Sequence, residues 1–113
     1  MTAENELAAP FSDGFPISVG HMLIVPKRHE ADFFALSESE QVAILQLTRQ
    51  IQGDLAESTA ATAFNVGVNA GADAGQTVDH AHLHLVPRYP GDVEDPRGGV
   101  TWIIPDKAAY RPR

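Results

Sequence analysis

The chain has 113 residues and a mass of 12.2 kDa, enough for one domain with a modest core. Fifteen Asp and Glu against eight Lys and Arg give a formal charge of -7, which disfavours non-specific binding to a nucleic-acid backbone. The absence of cysteine excludes disulfides, a thiol nucleophile and Cys-ligated metals, and no apolar run approaches the ~20 residues that span a bilayer. The expectation is one domain over residues 1–113, with a core at about 4–104, a tail at 105–113 and a soluble, cytoplasmic setting.

Residues 5–11 are mildly apolar and suggest an edge strand, after which Asp13-Gly14 signals a turn. Gly20 leads into His21-Met22-Leu23-Ile24-Val25, an apolar run stopped by Pro26 that reads as a buried strand. Residues 27–30 form a polar exit, and 31–36 hold a short helical turn. Ser37-Glu38-Ser39-Glu40 is a capping box, because the Ser37 hydroxyl and the Glu40 carboxylate can each accept from the other's backbone N–H. It starts a helix over about 38–57, with Ile44, Leu47, Ile51 and Leu55 on one stripe and Leu45 beside it. Strands are predicted at 62–68, at 80–86 (stopped by Pro87) and at 100–104. Between the first two lies a loop with Gly71 and Gly75, and turns fall at 90–92 and 96–99. The fold class is α+β: an antiparallel sheet of about five strands, one long helix and one short one.

Three of the five histidines, His80, His82 and His84, stand at i, i+2 and i+4. On a strand they share one face, while Ala81, Leu83 and Leu85 share the other and can pack on the helix stripe. Three imidazoles make poor core filler, since each has two ring nitrogens to satisfy. Two readings follow. The face chelates a metal such as zinc, or one imidazole attacks phosphorus while the others orient it and bind oxygens. The small-residue loop upstream favours the second. Its N–H groups suit an anion, Gln76 and Thr77 add side-chain donors, and it lacks the Lys of a Walker loop.

His80-Ala81-His82-Leu83-His84-Leu85-Val86 resembles the motif of the histidine-triad family. The resemblance extends to residues 10–13, Gly20-His21, Pro26-Lys27-Arg28-His29, Asn69 and Gly75-Gln76-Thr77-Val78, and is strongest to the fragile-histidine-triad-like branch and its bacterial relatives. It implies nucleotidyl hydrolase or transferase chemistry at an α-phosphate, with a dinucleoside polyphosphate, a phosphoramidate or a nucleotidyl adduct as substrate. It also implies a homodimer with one continuous sheet. By position, His82 is the implied nucleophile and His84 a donor to a phosphate oxygen. His80 would orient His82, supported by His21. Gln76 and Thr77, with Gly75 in their loop, would hold the phosphate and leaving side, and Asn69 the phosphate region. Asp13 would accept from the ribose, and Phe11 and Leu23 would line the base slot. Related transferases carry Gln at the third triad position, so His84 favours hydrolysis over transfer.

The resemblance implies no required cofactor and no dedicated metal, a divalent cation entering only as a complex with the substrate. His29 reads as a solvated loop residue. The structural zinc that some relatives hold there needs two cysteines that this sequence lacks. Nine residues before Pro10 imply a shallower base pocket than usual, or one completed by a partner chain. Two rival readings stand: a nucleotide-binding or sensing module with little turnover, and a metal-binding protein built on His80, His82 and His84.

Overall fold

The computed structural model describes residues 3–108. Four strands, β1 (Ala8–Ser12), β2 (Met22–Pro26), β3 (Ala63–Val68) and β4 (Leu83–Arg88), form one antiparallel sheet in the order β1-β2-β4-β3. One long helix, α1 (Glu38–Ser58), covers β1, β2 and β4 on one face. The α+β class is as expected from the sequence.

The capping box forms as read. The Ser37 hydroxyl accepts from the Glu40 N–H at 3.1 Å, and Glu40 Oε1 accepts from the Ser37 N–H at 2.9 Å. Arg28, at the exit of β2, donates to both Glu40 oxygens at 3.0 Å and so ties the helix start to the sheet. That guanidinium is the main reason the Glu40 carboxyl falls to about 2, helped by the Ser37 N–H. Ala43, Ile44, Leu47, Ile51 and Leu55 are buried against Ala8, Met22, Ile24, Leu83 and Leu85. Each large side chain buried there contributes on the order of 1.5–3 kcal/mol. Leu45, expected beside the stripe, points outward and is exposed.

Two strand predictions need correction. The sheet has four strands among the described residues, because 100–104 forms no fifth strand: Gly99–Ile103 is a 3-10 helix. Gly98 and Gly99 take positive φ of 94° and 48°, a region that favours glycine and that turns the chain. The Thr101 hydroxyl then reaches the Gly98 and Ala108 carbonyls at 2.9 and 2.7 Å, and the Trp102 indole N–H donates to Arg97 O at 2.8 Å. The second correction concerns β4, which spans Leu83–Arg88 instead of 80–86. Ahead of it the Ala81 N–H leaves the ladder and donates to Glu30 O at 2.7 Å. At the other end β4 runs through Pro87, because pairing with β2 stops at Met22↔Leu85 and the missing N–H faces no partner strand. The expected tail opens with a 3-10 turn, Pro105–Lys107, and buries Ala108, while 109–113 lie outside the described residues.

Candidate active site

Residues directly opposite in a sheet share a face. Phe11, Leu23, His84 and Gly67 form such a row across all four strands, on the face away from α1. Gly67 has no side chain, so nothing on β3 covers the His84 ring from directly opposite. The alternation holds ahead of β4: Ala81, Leu83 and Leu85 are buried, while His82 and His84 are half-buried with ring centroids 4.9 Å apart.

A neutral imidazole has one donor and one acceptor nitrogen, so its partners fix its tautomer. His82 Nδ1 lies 2.9 Å from the His80 carbonyl and must donate to it, which leaves the Nε2 lone pair for attack. His80 Nε2 donates to Pro26 O at 2.8 Å. His80 Nδ1 then accepts from His29 Nδ1 at 3.3 Å. His21, 4% exposed, takes the Ile17 N–H on Nδ1 at 3.2 Å, so its proton is on Nε2. That nitrogen is 3.0 Å from His84 Nδ1, which must accept, and His84 therefore carries its proton on Nε2. His80 contacts His82 through its backbone carbonyl, and His21 hydrogen-bonds His84 and not His80.

Asp13 stands beside this pair, with Oδ2 3.4 Å from His21 Nε2 and 3.9 Å from His84 Nδ1. Its other oxygen accepts from the Phe15 N–H at 2.8 Å. Burial is the largest influence on His84 and pushes its pKa below the ordinary 6.5; His82 and His21 add to the fall and Asp13 opposes it.

The metal reading fits this geometry poorly. His80 Nε2 and His82 Nδ1 are committed to carbonyls, and the described ligand atoms that converge belong to Asp13, His21 and His84. A metal-bound histidine donates its other N–H to an acceptor. His21 Nδ1 faces a donor, the Ile17 N–H, so Nε2 is protonated where a ligand needs a lone pair.

The loop before the triad turns its donors inward, against the expected anion cradle. The N–H groups of Ala74, Gly75 and Gln76 donate to loop carbonyls, and that of Gly71 to Gln76 Oε1 at 2.9 Å. The Gln76 amide N–H₂ donates to Ala31 O at 2.7 Å and Val78 O at 2.9 Å, so in this structure it braces the loop. Gly75 contributes a left-handed φ of 97° and Thr77 is exposed. Asn69 borders the same cavity as His84. Phe11, 58% exposed, and Leu23 sit side by side on the open face, as a base slot requires. His29, expected as a solvated loop residue, is exposed and in addition contacts the His80 ring, which the sequence reading did not anticipate. The signal was its place three residues after Pro26, whose carbonyl holds that ring.

The HIT-domain profile matches residues 1–91, and the chain belongs to the histidine-triad family. It is 43% identical over 86 residues to an uncharacterised HIT-like protein of Mycoplasma genitalium, covering 76% of this chain and 61% of that one. It is 36% identical over 90 residues to the asymmetrical bis(5'-nucleosyl)-tetraphosphatase of Schizosaccharomyces pombe, covering 80% of this chain and 50% of the yeast protein. The crystal structure of a HIT family protein from Bacillus anthracis superposes with a TM-score of 0.75 at 37% identity, covering 80% of this chain and 64% of that one. The chain thus spans half to about three-fifths of the length of these curated relatives.

Proposed function

We propose that the protein is a nucleotide hydrolase that cleaves at the α-phosphate through a covalent nucleotidyl-His82 intermediate. The observation that carries this reading is the His82 Nδ1–H bond to the His80 carbonyl, which leaves Nε2 unprotonated with no partner among the described residues. A positioned neutral imidazole is a competent nucleophile near pH 7. Nε2 bonds to phosphorus as the P–X bond breaks and X leaves with the electron pair. Water then attacks phosphorus, loses a proton and returns the pair to Nε2. His84 Nε2–H donates to a non-bridging oxygen as charge gathers there. Asp13 takes the ribose, Phe11 and Leu23 the base, and Asn69 and Thr77 the phosphate side, while Gly75 and Gln76 shape and brace the loop beside it.

No resident metal or cofactor enters this reaction, and a divalent cation acts only by neutralising a polyphosphate. The working form is a homodimer in the cytoplasm. β3 is an edge strand with neither proline nor charge, which leaves its outer backbone groups open to a second copy.

The test is early-quench labelling with a nucleotide carrying label on its α-phosphate. Label should appear on His82, and His82→Ala should lose turnover by about a thousandfold or more. Turnover that survives in that variant would sink the proposal. Tight nucleotide binding without product would favour the sensing module instead.

A further inference from the structure

One peptide plane joins the His82 ring to a distant part of the chain. The His80 C=O that accepts from His82 Nδ1 at 2.9 Å and the Ala81 N–H that donates to Glu30 O at 2.7 Å belong to the same peptide unit. That peptide is trans and planar, so its C=O and N–H point in opposite directions. The Glu30 carbonyl therefore sets the direction in which the His80 C=O faces His82. We propose that Arg28 is a positioning residue for His82: its guanidinium fixes the connection from β2 to α1, and the carbonyls of that connection hold the peptide that orients the ring. The proposal rests on the hydrolase reading above.

Three hydrogen bonds tie the lead of the triad to this stretch of chain. The His80 ring donates from Nε2 to Pro26 O at 2.8 Å, the Ala81 N–H to Glu30 O, and the Gln76 amide to Ala31 O at 2.7 Å. Pro26 is held by the sheet, where it stands opposite Ala8. Glu30 and Ala31 lie between β2 and α1, outside the strand ladder, so their carbonyls depend on side chains for their place.

Arg28 supplies that anchor. Nε and Nη2 grip the two Glu40 oxygens, each at 3.0 Å, and Nη1 reaches Glu30 Oε1 at 3.4 Å. Glu40 is 7% exposed and also receives the Ser37 N–H, so the grip ends on the first turn of a 21-residue helix. The second Glu30 oxygen accepts from the Asp32 N–H at 3.1 Å, which holds that side chain at both ends of its carboxylate. A planar, two-pronged contact fixes direction as well as distance, and a lysine ammonium cannot reproduce it.

The consequence lies in the proton on His82. Donation from the Ala81 N–H to Glu30 O polarises the shared peptide and makes the His80 oxygen a better acceptor. A well-aimed acceptor at Nδ1 keeps the proton there and the lone pair on Nε2. When the connection drifts, the His80 C=O turns, the ring samples its other tautomer, and Nε2 is protonated in part of the molecules. The base and ribose contacts proposed at Phe11, Leu23 and Asp13 lie off this path, so turnover falls and binding does not.

The experiment measures kcat and KM with adenosine 5'-phosphoramidate and with diadenosine triphosphate, and reads the His82 tautomer by nitrogen NMR of the substrate-free protein at neutral pH. Wild-type His82 should carry its proton on Nδ1. Arg28→Ala should lower kcat by about ten- to a hundredfold, with KM within about twofold, and should give His82 a mixed tautomer signal. Arg28→Lys, which keeps the charge at the helix start, should fall between the two. Ser37→Ala weakens the same helix start without touching Arg28, and should keep the wild-type kcat and a single tautomer. An Arg28→Ala protein with wild-type kcat and a single tautomer overturns the proposal, and so does a Ser37→Ala protein that loses as much kcat. Where Arg28→Ala does not fold, Arg28→Lys decides between the same outcomes. A wild type that turns over neither substrate overturns the hydrolase reading, and the tautomer of His82 in the variants then decides the positioning by itself.

Discussion

One backbone N–H determines what two histidine rings can do. Ile17 donates to His21 Nδ1, His21 must then donate from Nε2, and His84 is left with its proton on the side away from His21. His84 is depressed chiefly by burial, so at neutral pH it serves as a donor without carrying charge. Because its folded pKa lies below its unfolded value, the unfolded chain binds this proton first as the pH falls. Its contribution to stability is therefore complete above about pH 6.5 and is lost on acidification from there toward the lower folded value. Urea midpoints at about pH 7.5 and 5.5 should fall more for the wild type than for His84→Gln, which cannot titrate. Equal falls in the two proteins would refute the argument. None of this wiring was legible in the chain order, since His21 and His84 are 63 residues apart and meet only because β2 pairs with β4.

Elements were legible wherever the signal was local. The capping box announced α1, and its stripe announced which face would be buried. Ser37→Ala removes one half of the reciprocal pair and should cost about 1 kcal/mol in denaturant unfolding, with Ser37→Asp retaining most of it. A loss near zero would mean the Arg28–Glu40 clamp holds the helix start by itself. The 100–104 segment shows the opposite case. Val100-Thr101-Trp102-Ile103-Ile104 is rich in β-formers, yet two positive-φ glycines set its course and Gly99–Ile103 closes as a 3-10 helix beside β3. Propensity yielded to the turn, and the result is one wall of the cavity beside His84.

At the scale of the molecule, α1 leaves the open face to the histidines and leaves β3 as a bare edge. Sedimentation equilibrium should give twice the monomer mass, and Val66→Pro, at an edge position, should shift it toward the monomer. A wild-type chain that stays monomeric at high concentration would rule out the dimer. Pairing along that edge uses in-plane backbone groups and leaves the face of the sheet open.

The sequence by itself determined the α+β class, the helix and its cap, the alternation of the triad, and the face that carries it. These depend on periods of two and 3.6 residues and on short-range hydrogen bonds, all written in neighbouring positions. Only the tertiary structure decided the proton on each ring, the inward turn of the Gln76 loop and the closing of the groove by the C-terminal segment. Each of those depends on groups brought together from distant parts of the chain, and a linear pattern carries no record of who meets whom.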